Sequence, residues 1–239
     1  MSRRRDKSRR GRHRPQRLLA AFLAIVLPGT VMLILPLRWL PPLTSSFMII
    51  TRIERPGDDL RYDWVGRAAI SSHAAAAVLA SEDQRFFEHA GFDFRSVGNA
   101  IEDYRRGERL RGGSTISQQV AKNLFLWPGR SWLRKGIEAW LTAWTELLLP
   151  KERILELHLN IAQFGPSVFG VEAASRLYFG KPAARLGRDE AALLAAVLPN
   201  PVVLSVARPS GYLRQRQAWI RTQAIRLESA GYFSPSRWH

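Results

Sequence analysis

The hydrophobic and polar positions of the chain include one uncharged stretch of twenty residues near the amino terminus. Leu18 to Leu37 contains no charged residue and is followed directly by Arg38. A helix of that length spans about 30 Å, the thickness of the hydrocarbon core of a bilayer. Membrane helices tolerate prolines and glycines, such as those of this stretch, better than soluble helices do. The pattern therefore predicts a transmembrane helix at residues 18–37.

Two other interpretations of this stretch stay open from the sequence. One is a buried helix in the core of a soluble protein, and the other is a signal peptide that is cleaved after export. The run is long for a signal peptide, and no A-x-A-like cleavage site follows it. A membrane anchor is therefore the interpretation that the pattern favours.

The rest of the chain has the pattern of a mainly α-helical domain. Four apolar runs rich in helix formers end at prolines or change to polar sequence, and they lie at 72–80, 135–149, 151–160 and 189–198. Strand-like alternation occurs only in short pieces such as 201–207. We expect a proline-bearing connector at 38–60 and a helical domain at 61–230.

The charge of the chain is uneven. Lys+Arg number 36 and Asp+Glu 20, a net charge of +16, and half of this excess lies in residues 1–17. Basic residues beside a membrane helix mark its cytoplasmic side, so we expect 1–17 to be a cytoplasmic tail and the chain after Arg38 to lie outside. The sequence has no cysteine, which excludes a disulfide scaffold, a thiolate zinc site and a cysteine nucleophile.

The first candidate for chemistry is a pair of carboxylates at the end of an alanine-rich segment. Glu82 and Asp83 are followed by Phe86 and His89. A carboxylate in apolar surroundings gains proton affinity, which suits a general acid or base. The same pattern also fits a solvated helix end above a core Phe, and His89 alone favours a structural hydrogen bond.

The second candidate is the glycine-bearing segment 111–123. Its two glycines allow a ligand to approach the backbone, and Ser114 or its neighbour Thr115 can cap the helix that follows. Gln118 and Lys122 then stand one turn apart on one face. Such a combination fits a phosphate or diphosphate, and it equally fits a flexible turn before an ordinary capped helix.

The third candidate lies at the head of an apolar helix. Arg134, Lys135 and Glu138 precede a face with Trp140 and Trp144. One interpretation is an ion-paired helix start above a tryptophan-lined core. The other places the two cations on a phosphate and Glu138 as a second acid in the same cleft.

Taken together, five segments resemble the signatures of the peptidoglycan glycosyltransferases of family 51, in the family's order. They are 82–93, 112–123, 134–138, 151–181 and 190–201. The closing stretch 208–219 resembles the single-domain members, the monofunctional biosynthetic transglycosylases. Four positions depart from the usual pattern: Ser117, His158 (where Tyr is usual), Gln163 and Ser167.

The resemblance implies a lysozyme-like, mainly α fold with a cleft between two lobes, and polymerisation of lipid II into glycan strands. It implies that Glu82 takes the proton of the acceptor 4-hydroxyl, and that inversion gives a β-1,4 link with release of undecaprenyl diphosphate. For Glu138, the other catalytic candidate, it leaves three roles open: to orient cations, to hold a divalent ion (Mg²⁺ or Mn²⁺) at the diphosphate, or to assist the leaving group. The substrate contacts that it implies are Asp83, Phe86, His89, Ser114, Gln118, Lys122, Asn123, Arg134 and Lys135.

As partners, the resemblance implies lipid II, the growing glycan chain and the bacterial inner membrane, with the catalytic domain in the periplasm and no nucleic acid. It leaves open contacts with proteins of cell-wall synthesis or division. Two rival functions remain. A membrane-anchored lytic transglycosylase would share the helical fold but need no diphosphate site, and a DNA- or lipid-binding module would depend on residues 1–17 and show no catalysis.

Overall fold

The computed structural model describes residues 14–95, 98, 106, 113–129, 131–234 and 238. Residues 1–13 of the predicted basic tail lie outside this part of the chain, and so do Arg111 and Gly112 of the predicted phosphate segment.

The described part of the chain is mainly helical, as predicted. Its α-helices are α1 (Arg14–Ile34), α2 (Ser46–Glu54), α3 (Ser72–Glu82), α4 (Ile116–Phe125), α5 (Trp132–Leu148), α6 (Lys151–Ile161), α7 (Val171–Phe179), α8 (Arg188–Val197) and α9 (Gly211–Ser229). Short 3₁₀ turns lie at Leu35–Arg38, Arg67–Ala69, Phe86–Glu88 and Ala183–Arg185. The four helices expected from the apolar runs all form, with ends that differ by up to three residues.

A small sheet of three short strands joins distant parts of the chain. Strands β1 (Arg61–Tyr62), β2 (Gln163–Gly165) and β3 (Val168–Phe169) are arranged in the order β1-β3-β2, with β3 parallel to β1 and antiparallel to β2. The strand suggested by the alternation at 201–207 is wrong, because this segment forms turns. The amides of Val203 and Leu204 both donate to the carbonyl of Asn200, which closes the backbone locally.

Helix α1 and the turn after it form the one membrane-span candidate in the described part of the chain. The span Ala20–Arg38 has a mean hydropathy of 2.3, and only 11% of it is buried against the rest of the protein. This low burial rules out a core helix. The helix continues through Pro28, and the Thr30 hydroxyl satisfies a carbonyl one turn earlier, at Val26.

Helix α3 holds the site in place because it is apolar on every side. Residues 74–80 are all buried, and most of them are alanine, so neighbouring helices approach closely. On one side α3 packs against α8 and α9, which also pack against each other; α6 contacts α3 and packs with α4 and α5. Glu82, the last residue of α3, therefore lies where the two groups of helices meet.

Candidate active site

Glu82 receives contacts from both groups of helices. Its carboxylate accepts a hydrogen bond from the Gln119 side chain of α4 at 2.9 Å, and the guanidinium of Arg216 on α9 lies 3.7 Å away. The side chain is 13% exposed. Burial raises the pKa of Glu82 above its usual range, while Gln119, Arg216 and the charge of Lys122 act in the opposite direction. A shielded carboxylate of raised proton affinity that still reaches solvent can accept a proton from a bound hydroxyl.

Asp83 and His89 connect the carboxylate segment to the start of α4. The His89 Nδ1 accepts from the amide of Gly91 at 3.2 Å, so the hydrogen is on Nε2, which lies 2.9 Å from the Asp83 carboxylate. That carboxylate also accepts from the amide of Ile116 at 3.1 Å. Both side chains are largely buried, and their polar atoms bond to other groups of the protein. Their contacts therefore hold the site together.

Phe86 lies behind this segment in the core. Its side chain is 0% exposed, and the ammonium of Lys151 stands 4.3 Å from the centre of the ring. The same ammonium pairs with Glu146 at 2.7 Å. Phe86 therefore packs the wall of the site from within.

The second motif begins helix α4 with a reciprocal capping box. The Thr115 hydroxyl accepts from the amide of Gln118 at 3.2 Å, and the Gln118 side-chain oxygen accepts from the amide of Thr115 at 3.0 Å. Thr115 is thus the cap, and the preceding Gly113 and Ser114 stay exposed. One end of the Gln118 amide is used by the helix itself.

A cleft of about 210 Å³ opens beside Glu82. Its lining includes Ser114 of the second motif, Arg85 of the first and Trp219 of α9. Trp219 is 46% exposed, so part of a large aromatic side chain is accessible in the same cleft as the carboxylate.

The third motif forms an ion-paired cluster on the first turns of α5. Arg134 donates to the Glu138 carboxylate at 2.8 Å, and the Lys135 ammonium bonds its other oxygen. Glu138 is 2% exposed, whereas the Lys135 side chain is 44% exposed. The Arg134 Nε is buried without a hydrogen-bond partner among the described residues. Of the three roles left open for Glu138, this geometry matches the orientation of cations.

Lys122 is close enough to both Glu82 and the α5 cluster to feel their charges. Burial lowers its pKa most, repulsion from Arg134 and Lys135 adds to this effect, and attraction to Glu138 and Glu82 opposes it. Both carboxylates are engaged elsewhere, Glu138 by the α5 cations and Glu82 by Gln119 and Arg216. The Lys122 ammonium instead stands 5.4 Å from the centre of the Phe47 ring on α2, a cation–π contact that leaves its charge available to an anion.

Asn123 faces α2. Its carbonyl accepts from the Ser46 hydroxyl at 3.0 Å, and its side-chain Oδ1 is buried without a partner in the described ranges. The charges of Glu82, Arg134, Lys135 and Glu138 therefore all act on Lys122, and Ser114 lines the cleft beside Glu82. The backbone of Asn123, by contrast, contacts α2.

The described residues do not fit a resident divalent ion. Within these ranges, no group of three or more Asp, Glu or His residues is placed to bind a metal. Glu138, the candidate ligand, has both oxygens occupied by cationic side chains.

Four residues at the site were not expected from the sequence. Gln119 and His158 extend from Glu82 into the core, and Arg216 and Trp219 reach it from α9. In the sequence, His158 stands out only as a departure from the usual Tyr. The 208–219 segment indicates only the single-domain type, and nothing in its local pattern shows that α9 packs against α3.

Known proteins are similar to this chain over nearly all of the helical domain. A family model described as transglycosylase matches residues 48–225. The biosynthetic peptidoglycan transglycosylase of Pseudomonas putida is 48% identical over 220 residues, which cover 90% of this chain and 93% of that protein. The protein of the same name from Pseudomonas aeruginosa is 47% identical, covering 90% and 95%, and that from Aeromonas hydrophila is 49% identical over 211 residues, covering 87% and 90%.

Proposed function

The chain belongs to the family of biosynthetic peptidoglycan transglycosylases, and we propose that its site polymerises lipid II by inverting transfer from a lipid diphosphate. Peptidoglycan glycosyltransferase activity follows from the family, which matches most of the chain. The donor and the course of the reaction are our proposal. The observation that carries it is a shielded carboxylate, Glu82, near a partly buried cation, Lys122, whose two attracting carboxylates, Glu82 and Glu138, are each bonded to other side chains in the described part of the chain.

In this mechanism Glu82 is the general base. It removes the proton of the acceptor 4-hydroxyl while that oxygen attacks the anomeric carbon of the donor sugar. Gln119 and Arg216 hold the carboxylate in place. The cleft with Ser114 and Trp219 gives room for the sugar that carries this hydroxyl.

Lys122, Arg134 and Lys135 are the proposed contacts of the diphosphate. The leaving group departs with the electron pair of the bond from the anomeric carbon to oxygen, so its charge needs cations more than protons. Cations that are fixed before the reaction, in a site with little water, stabilise developing charge strongly. Glu138 holds Arg134 and Lys135 in place without meeting the substrate itself.

Direct displacement with inversion is supported by the state of the second carboxylate. A double displacement needs a free carboxylate as nucleophile. Glu138 is 2% exposed and bonded to two cations, so its lone pairs are not available to a sugar carbon. One displacement of an α-linked diphosphate gives the β-1,4 link.

The lytic alternative receives no support. The relatives named above are biosynthetic, and a glycan-cleaving enzyme has no diphosphate for a cluster of Lys122, Arg134 and Lys135 to stabilise. The partners in our proposal are lipid II, the growing glycan chain and the membrane. Contacts with other proteins of cell-wall synthesis stay a prediction.

Polymerisation of labelled lipid II by the full chain tests the proposal. Glu82→Gln is expected to lower the initial rate by about 10²- to 10⁴-fold, the usual contribution of a general base. Glu54→Gln is the matched control, because Glu54 is an exposed carboxylate at the end of α2. Wild-type rates from Glu82→Gln would exclude this base, and release of muropeptides from finished cell walls without polymer would support the lytic enzyme.

Helix α1 anchors the chain in a membrane, and we propose the inner membrane with the amino terminus in the cytoplasm. The sequence lacks cysteine, so single cysteines can report the orientation. A maleimide that does not cross membranes should label Gln215→Cys, on the exposed face of α9, in intact spheroplasts. It should label Ser8→Cys only after permeabilisation, and the reverse result would contradict the orientation.

A further inference from the structure

A chain of hydrogen bonds runs from the core of the protein to Glu82. On α6, the Nε2 of His158 lies 3.1 Å from the side-chain oxygen of Gln119. The amide nitrogen of Gln119 then donates to the Glu82 carboxylate at 2.9 Å. His158 is 0% exposed, so water does not compete for its end of the chain.

The protonation state of the His158 ring decides which atom donates in each of these bonds. Burial and the charge of Lys122 lower the pKa of His158 to about 4, so the ring is neutral at neutral pH and carries one hydrogen. Its Nδ1 is buried without a partner in the described part of the chain. The hydrogen therefore belongs on Nε2, where the Gln119 oxygen accepts it.

An amide has one accepting end and one donating end. With its oxygen held by His158, Gln119 must present its NH₂ group to Glu82, and that group favours an ionised carboxylate. A reversed amide would turn its oxygen to Glu82, and this carboxyl would have to carry a proton to bond with it. The orientation of Gln119 is thus coupled to the protonation of Glu82.

We infer that His158 is a positioning residue for the reaction: it fixes the Gln119 amide so that Glu82 is held as an ionised, hydrogen-bonded base. The inference rests on the proposed role of Glu82. Other groups also act on this carboxylate, namely Ser81 on α3, Lys122 on α4 and Arg216 on α9. They act through charge or a hydroxyl, whereas His158 acts only by orienting the amide.

The acid limb of the kcat/KM profile of the full chain tests this inference, because that limb reports the ionisation of the free enzyme's base. His158→Phe keeps a ring but removes the donor, so the amide can reverse. Its acid limb should move to higher pH, with kcat/KM about 3- to 10-fold below wild type on that limb and recovering at alkaline pH. His158→Gln keeps an N–H donor and should retain a limb close to that of the wild type.

Two further variants separate this role from packing. Leu159→Ala removes a fully buried side chain of the same helix and should lower the melting temperature without moving the limb. In a Gln119→Met background, His158→Phe should cause no further shift, since the amide through which it acts is gone. If His158→Phe does not fold, His158→Asn, which is too short to reach the amide, replaces it.

The inference is overturned if the acid limb of His158→Phe coincides with that of the wild type, if Phe and Gln shift it equally, or if the shift persists without Gln119. Failure of the proposed function has a different signature. In that case Glu82→Gln would retain activity, or the wild-type acid limb would not depend on Glu82.

Discussion

In the proposed mechanism, Lys122 reduces the stability of the fold for the sake of activity. Burial lowers its pKa, so the fold disfavours the charged form that the proposed contact with a diphosphate requires. Lys122→Met keeps the length of the side chain and removes the charge. We expect kcat/KM for lipid II to fall about 10²- to 10³-fold, as when one preorganised contact to developing charge is lost. The melting temperature at neutral pH should rise, because the penalty for burying the ammonium is gone.

The matched control for this variant is Lys181→Met. Lys181 pairs with Glu190 at 2.6 Å on the surface and is 30% exposed. Its replacement should leave polymerisation near the wild-type rate and should not raise stability. Near wild-type kinetics of Lys122→Met would remove Lys122 from the diphosphate site.

Burial of the ionised Glu82 carboxylate also lowers the stability of the fold, and the size of this loss changes with pH. Because burial raises the pKa of Glu82, the carboxyl ionises in the unfolded chain before it does so in the fold. Stability is therefore lost as pH rises from the usual glutamate range through the raised pKa. Glu82→Gln should melt at a higher temperature than the wild type at neutral pH, and the gain should vanish in acid. Calorimetry at several pH values measures this, and a gain that persists in acid would contradict it.

At the scale of elements, Gly91 joins the first motif to helix α5. Its φ is +85°, and a Cβ there would lie 2.8 Å from Thr142 and 2.9 Å from Glu146. Its carbonyl accepts from the Thr115 hydroxyl at 2.7 Å. Gly91→Ala should therefore combine backbone strain with a steric clash. Strain alone is expected to lower the free energy of unfolding by about 1 kcal/mol, and the clash should make the loss larger.

Gly180 provides the control for backbone strain without a clash. It ends α7 at φ +66°, and a Cβ there would meet nothing within 4 Å. Gly180→Ala should cost only the strain and leave polymerisation intact. Denaturant unfolding of both variants measures the difference, and equal losses would mean that the contact of Gly91 with α5 adds nothing.

A helix or strand could be predicted from the sequence when local residues determine it, and could not when it depends on residues far away in the chain. Helices α5 and α6 could be predicted because their apolar periodicity and Pro150 lie in the local sequence. The sheet could not, because β1 pairs with β3 more than a hundred residues later, through only two residue pairs. Segment 201–207 looked strand-like since its apolar residues alternate, but a nearby carbonyl satisfies its amides first.

The same distinction applies to the site. Glu82, Lys122 and the α5 cluster were predicted because they stand in motifs with a fixed local spacing. Arg216 reaches Glu82 only through the packing of α9 on α3, a long-range contact that no local pattern records. The roles of Asp83 and His89 in holding α4 likewise became visible only from their hydrogen bonds.

At the scale of the whole molecule, the membrane helix lies alongside the helix that carries the cation cluster. The Trp140 side chain of α5 donates to the Thr30 hydroxyl at 3.1 Å, and Arg38 donates to the Leu148 carbonyl at 2.9 Å. Both contacts join residues 110 positions apart, so α1 and α5 run parallel. Because Thr30 lies inside the predicted span, we expect the start of α5, with its exposed Trp132 and Leu133, to meet lipid.

Arg153 fixes this arrangement from the side of the catalytic domain. It donates to the carbonyls of Leu37 at 2.7 Å and Leu40 at 2.8 Å, directly after the membrane helix. Its guanidinium also lies 5.0 Å from the centre of the Trp64 ring and pairs with Glu156 at 3.0 Å. Arg153 therefore adds to the contacts of Trp140 and Arg38 in holding the domain relative to the bilayer.

Arg153→Met should consequently affect activity in a bilayer more than in detergent. The variant keeps an apolar contact for Trp64 but removes two of the hydrogen bonds that hold the end of the membrane helix to the domain, so the cations of α5 are held less firmly relative to the bilayer. We expect the rate with lipid II in proteoliposomes to fall at least several-fold more than the rate in detergent micelles, where substrate and enzyme can reorient together. Arg52→Met, on the exposed face of α2, should leave the rate unchanged in both media. An equal loss in both media would show that Arg153 contributes only to folding, and that substrate capture does not depend on the angle at which the domain is held.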